Sequence, residues 1–169
     1  RRLLLPLVLC ASPALARDSL GLFGQWGAFS DAQAPGGPRC YAIAMAAPSA
    51  LKRDYQPYAA IGTWPRQQIR GQVHFRLSRK LLPGGPITLF LGGQRYRLVG
   101  GGGDAWAADK RMDAAIVAAM RSAGEMIVNA RAADGRLLCG GREHHPALVA
   151  ALRRGHLEFD LEGTGPFGH

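Results

Sequence analysis

Apolar and polar residues alternate through the middle of the chain. In Val73-His-Phe-Arg-Leu77, the valine, phenylalanine and leucine point one way and His74 and Arg76 the other. Ile87, Leu89 and Leu91 share a face in the same manner. Gly92-Gly93 follow, and then Tyr96 and Leu98 oppose Arg95 and Arg97, so residues 87–99 read as a β-hairpin. Residues 22–29, 39–45, 58–64 and 125–132 carry further strand patterns. Turn signals separate the strands: APGGP at 34–38, LPGGP at 82–86 and ADGR at 133–136. One segment has helical period. Met112, Ala115, Ile116, Ala119 and Met120 form a stripe, with Asp109 placed to cap its start and Gly124 to stop it. The expected fold is mainly β: an antiparallel β-sandwich with one main α-helix, about 109–122, packed on a sheet through Met112, Ile116 and Met120.

The ends depart from this pattern. Arg1-Arg2 precede an apolar run, Leu3 to Leu9, too short to span a bilayer. ASPALA follows, with Ala14 and Ala16 at the small positions of a cleavage site. Residues 1–16 therefore read as an N-terminally incomplete signal peptide, and the mature chain is expected to be exported, with no transmembrane segment. A lipoprotein reading of Cys10 is disfavoured because Leu9 stands where a small residue belongs. Residues 17–138 are expected to form the sandwich domain. Residues 139–169 make an atypical C-terminal tail with little core pattern, and four of the five histidines lie beyond Arg136.

Export changes the cysteine reading. Cys10 leaves with the leader, and Cys40 and Cys139 remain as an even pair. In an oxidising compartment this favours a disulfide, set against two unrelated buried thiols. A bridge would close a loop of about 100 residues, worth about 4–5 kcal/mol in the chain-entropy account. No CxxC is present, which disfavours thiol–disulfide exchange and a four-cysteine zinc site.

The formal charge is +9, and loss of Arg1 and Arg2 leaves +7. No acid occurs from Tyr55 to Gly103, while Arg66, Arg70, Arg76, Arg79, Lys80, Arg95 and Arg97 all fall there. His74, Arg76, Arg95 and Arg97 are the candidate basic binding face, should their strands be neighbours. A basic exported protein suits anionic lipid, glycan or an envelope protein as partner. The aromatic content of that face is thin, since Phe75 and Tyr96 turn inward, so sequence-specific nucleic-acid binding is not expected.

Catalytic signals are weak. Gly100 to Gly103 open toward the helix, but GxxxxGK[ST] is absent and Asp104 would repel phosphate. The run reads as a joint between a strand and the helix, and Trp106 as a core anchor at the helix start. His144 and His145 are adjacent and HExxH is missing, so the REHH segment reads as a solvated tail. Ser30, Ser49, Ser78 and Ser122 lack a nucleophile-elbow context. Carboxylates are too sparse in the sheet for a glycosidase-like acid pair. No catalytic residue, metal ligand or cofactor is assigned.

The order of elements resembles the invasion-associated locus B family of proteobacterial exported proteins. The resemblance runs over about residues 20–138: GQWGAF after the leader, RCYAIA, YAAIGTWP, GQVHFRLSR, ITLFLGGQRYRLV, then the helix unit and a final strand. It implies a β-sandwich of the periplasm, outer membrane or exterior, linked to host-cell invasion, without catalysis and with no catalytic residues to carry over. In the family a cysteine often follows the early Trp. Here Phe29, Ser30 and Asp31 stand there, and the tail beyond 138 fits the family only as a divergent or frame-shifted end. The resulting expectation is a non-catalytic envelope protein that binds an anionic surface or a protein. The alternative is a periplasmic hydrolase with an unrecognised active site, which convergent His, Asp and Ser groups in one deep pocket would favour.

Overall fold

A computed structural model describes residues 17–46 and 53–140 of the chain. The leader, the REHH segment and the rest of the tail lie outside them. Ten strands and one helix follow in sequence: β1 (Asp18–Phe23), β2 (Trp26–Asp31), β3 (Arg39–Met45), β4 (Tyr58–Trp64), β5 (Ile69–Arg76), β6 (Ile87–Leu91), β7 (Gln94–Gly101), β8 (Asp104–Trp106), α1 (Lys110–Met120), β9 (Met126–Arg131) and β10 (Leu137–Gly140). All pairings are antiparallel, in the order β1-β2-β3-β4-β5-β8-β7-β6-β9-β10. The mainly β fold with one helix is as the alternation requires.

One strand makes two layers out of this ladder. Gln94 to Leu98 of β7 pair with β6, whereas Val99 to Gly101 pair with β8. The larger sheet is thus β1-β2-β3-β4-β5-β8 with the end of β7. The smaller sheet is the start of β7 with β6, β9 and β10. Their inner faces share one hydrophobic cluster with Ile116 and Met120 of α1. Val73, Phe75, Leu89, Leu91 and Leu98 are all buried as the alternation demands, each worth about 1.5–3 kcal/mol of transfer free energy. The two inner faces differ in grain. Ala28, Ala42, Ala44, Ala59 and Ala105 line the larger sheet between Trp26 and Phe75, whereas the smaller sheet presents leucines and Met126. Small residues on one layer leave room for the helix and the bulkier layer opposite.

The helix starts as expected. The Asp109 side chain accepts a hydrogen bond from the Met112 N–H at 2.8 Å, which satisfies one of the orphan donors of the first turn. Gly124 is not its left-handed stop: the helix ends through Arg121 in right-handed conformation, and Gly124 is not among the positive-φ glycines. Beyond the end of β8, the β5 backbone has no strand neighbour on that side. There the buried Asp113 of α1 accepts from the Val73 N–H at 2.8 Å, so the helix stands in for the missing strand.

Three further expectations change. Residues 22–29 are not one strand but the hairpin β1–β2, turning at Gly24 with φ 64°. The final strand β10 runs to Gly140, two residues into the segment read as tail. The glycine run is no joint to the helix. Gly100 and Gly101 pair with Ala105 and Asp104, making the run a tight hairpin from β7 to β8. Its Gly102 and Gly103 carbonyls accept from the Leu81 and Leu77 N–H groups, so it is tied into the sheet.

Candidate functional site

Period-two geometry gives each sheet an outward face, and these two faces carry the polar chemistry. On the larger sheet the rows can be read from the register. His74 lies opposite Ala60 on one side and Trp106 on the other. Arg76 lies between Tyr58 and Asp104. The His74 ring stacks on Trp106 with centroids 5.1 Å apart and planes within 7°, and Tyr58 meets it edge-on at 5.4 Å. His74 Nε2 and Asp104 Oδ1 are 2.9 Å apart, and Arg76 donates to the other oxygen of Asp104. The Arg76 guanidinium also sits 4.0 Å over the Tyr55 ring. Trp106 is therefore no core anchor. It lies half-exposed on the outer face because Ala105, its neighbour in β8, takes the inward position. Burial, and then the charge of Asp104, push the Tyr58 phenol up from its ordinary range.

Asp104 is the acid that pairs with His74 and Arg76. It lies just past the acid-free stretch, and the β7–β8 hairpin folds it back beside β5. The same hairpin separates the four residues expected to form one basic face. His74 and Arg76 are outward on the larger sheet and share Asp104. Arg95 and Arg97 are outward on the smaller sheet, across the layer change in β7. Short β8 also stands between β5 and β7, so the two pairs are not on neighbouring strands.

Arg95 and Arg97 are exposed, one pleat repeat apart on β7. Neither has an acidic partner among the described residues. Arg95 lies over the Phe90 ring, 5.1 Å from its centroid, and Arg97 is opposite Thr88. Ile127, opposite Phe90, and exposed Arg131 extend the face onto β9. An open depression of about 460 Å³, lined by Phe90, Ile127, Glu125 and the hairpin glycines, adjoins it.

Cys40 is a free, half-buried thiol, and burial pushes its pKa up. The expected bridge to Cys139 is not made in the structure. Cys40 is on β3 of the larger sheet, between Ser30 and Thr63 in register. Cys139 is on β10 of the smaller sheet, with six strands between them in the ladder, and its side chain lies outside the described residues. Among the described residues no cluster of His, Cys, Asp or Glu has metal-binding geometry, and no helix is long and apolar enough to cross a membrane.

No protein-family model matches the chain, and no curated protein or solved structure is similar to it. The likeness to invasion-associated locus B proteins thus rests on the order of its sequence elements.

Proposed function

We propose that this chain is an exported, non-catalytic envelope protein of the invasion-associated locus B type, which works by holding an anionic surface against its smaller sheet. The observation that carries the reading is the pair Arg95 and Arg97: one pleat repeat apart, exposed and without an acidic partner among the described residues, with Arg95 over Phe90 and half-exposed Ile127 opposite that ring. Arginine forks suit phosphate oxygens, and apolar neighbours suit the boundary beneath headgroups. The hydrolase alternative would rest on His74 and Asp104. That pair is shared with Arg76 on an open face, and no hydroxyl or thiol among the described residues hydrogen-bonds to His74.

Vesicle co-sedimentation of the mature domain tests the reading. Binding is expected to vesicles containing phosphatidylglycerol and not to pure phosphatidylcholine, and to weaken as salt rises, because exposed charges are screened over about 10 Å at 0.1 M salt. Arg95→Glu with Arg97→Glu should abolish it while the melting curve stays in place. Equal binding by the double variant, or none by the wild type, rejects this face.

A further inference from the structure

The outward face of the larger sheet holds a second surface, which is independent of the arginine face. Phe29 on β2 and Tyr41 on β3 are paired in register, and Tyr41 is paired with Gly62 on β4. Two rings of this row, Phe29 and Trp64, are each laid down by a glycine two residues before them on the same face. A Cβ on Gly27 would fall 2.7 Å from the Phe29 ring, and the six-membered ring of Trp64 fills the place of a Cβ on Gly62. The rings therefore lie along the sheet instead of standing off it. Phe29 and Tyr41 have centroids 5.4 Å apart and planes within 28°. The three side chains are half-exposed, so their outer faces meet solvent.

The charged groups at one end of this floor are held in ion pairs: Asp31 is shared by Arg39 and, at 3.9 Å, by Arg17. Arg39 donates to Asp31 at 3.1 Å while its guanidinium lies 5.5 Å from the centre of the Tyr41 ring. Gln72, opposite Gly62, offers an amide with no hydrogen-bond partner among the described residues. Aromatic faces carry negative quadrupole density that attracts weakly positive C–H groups. Planar amide, carboxylate and guanidinium groups at the rim can each take or give hydrogen bonds to hydroxyls. The two arginines nearest Asp31, Arg39 and Arg17, are both engaged with it, and the ring faces themselves carry no charge for an anion. A polyhydroxylated, uncharged ligand with flat C–H faces fits both features.

We infer that the Phe29–Tyr41–Trp64 row is a binding platform for a neutral glycan chain, with the Asp31–Arg39 pair and Gln72 as its hydrogen-bonding rim. Affinity electrophoresis in native gels tests it, with hydroxyethyl cellulose, glycol chitin and dextran as separate probes. Retardation by at least one of them is expected, together with a change in tryptophan fluorescence. Tyr41→Ser, at a half-exposed position, should weaken retardation at least tenfold with an unchanged melting curve. Trp64→Ala should do the same. The double variant Arg95→Glu, Arg97→Glu should be retarded like wild type, so failure of the vesicle experiment and failure of this one are separable. No retardation by any of the three probes overturns the inference, as does full retardation of Tyr41→Ser. A concentration-dependent dimer that Tyr41→Ser dissolves would show instead that a second copy covers the row, and would equally overturn it.

Discussion

The two outward faces of this sandwich come from one ladder, yet they hold their charges in opposite ways. On the larger sheet three outward cations are tied to acids: Arg39 to Asp31, His74 and Arg76 to Asp104. On the smaller sheet Arg95 and Arg97 have aromatic and hydroxyl neighbours and no acidic partner among the described residues. The first face is an aromatic surface with internal ion pairs; the second is a cationic surface with an apolar floor. Local sequence composition does not distinguish them, since VHFRL and QRYRLV have the same alternation. The difference arises where the chain brings Asp104 home. A hairpin of glycines carries one carboxylate to β5 and none to β7's other half.

The hairpin is therefore the place where the comparison breaks most severely. Gly100 is packed so closely against the Asp104–Ala105 backbone that a Cβ would lie 2.9 Å from Ala105 Cα, with the Asp104 carbonyl nearer still. Gly100→Ala must open the β7–β8 pairing, and is expected to cost about 3 kcal/mol or more, in the range reserved for backbone collisions and strain. Gly101→Ala is the control. A Cβ there meets nothing within 4 Å and Gly101 is not at positive φ, so its cost should stay within about 0.5 kcal/mol. Urea denaturation of both variants decides it; equal stabilities would mean that the hairpin does not hold the two layers together.

Asp113 supports the same division from the helix side. Asp113→Leu leaves the Val73 N–H without its acceptor, at an expected cost of about 1–3 kcal/mol. Asp113→Asn keeps an acceptor oxygen and removes a buried charge, so it should stay within about 1 kcal/mol of wild type at neutral pH. The pH dependence has a definite sign. Burial raises the Asp113 pKa above its ordinary 3.8, so the folded state holds this proton more tightly than the unfolded one. Asp113 therefore favours folding less as pH climbs from 3.8 through the raised value, and that penalty is complete above it. Stability of Asp113→Asn relative to wild type should accordingly improve across that window; a relative decline there would mean that hydrogen bonding, not burial, governs the group.

Much of this architecture is legible in the alternation itself. Val73, Phe75, Ile87, Leu89 and Leu91 fix which side of each strand is buried, and the two-residue turn at Gly92-Gly93 fixes the β6–β7 register. The stripe of Met112, Ile116 and Met120, with Asp109 before it, fixes the helix. Partnership between distant strands is not legible, because period two says where a side chain points and nothing about which strand lies beside it. Hence the four basic residues could not be divided into pairs, and Asp104 looked like the mouth of a loop. Trp106 was misplaced for a different reason. Its size argues for burial, but its β8 neighbour Ala105 is the residue that faces Phe75 and the close-packed Gly100 hairpin, where only a small side chain fits. The aromatic row was hidden too: Gly27 before Phe29 and Gly62 before Trp64 are visible as GxF and GxW spacings, and only the register puts them side by side around Tyr41.

The smallest expected effect sharpens the comparison most directly. If one carboxylate separates a neutral face from a cationic one, neutralising it should convert the first toward the second. Asp104→Asn keeps size and hydrogen-bonding atoms, and the ions it serves are about a quarter exposed, with side chains at 25% for His74 and 27% for Arg76. The loss of stability should then be modest, about 1 kcal/mol, since solvent screens pairs of this exposure. In the Arg95→Glu, Arg97→Glu background, where the smaller sheet is expected to release anionic vesicles, Asp104→Asn leaves Arg76 without its counter-ion. Weak, salt-sensitive binding to phosphatidylglycerol vesicles should reappear, at a small fraction of the wild-type level, because Arg76 remains engaged with Tyr55 and only about a quarter exposed. Asp104→Asn should leave the Tyr41 and Trp64 rings undisturbed, as they lie on β3 and β4 in another row of the sheet. If binding returns to wild-type strength, the larger sheet is a latent anionic site and Asp104 its suppressor. If none returns, ring contacts alone keep Arg76 from anions, and the contrast between the faces owes less to Asp104 than to the aromatic side chains beside it.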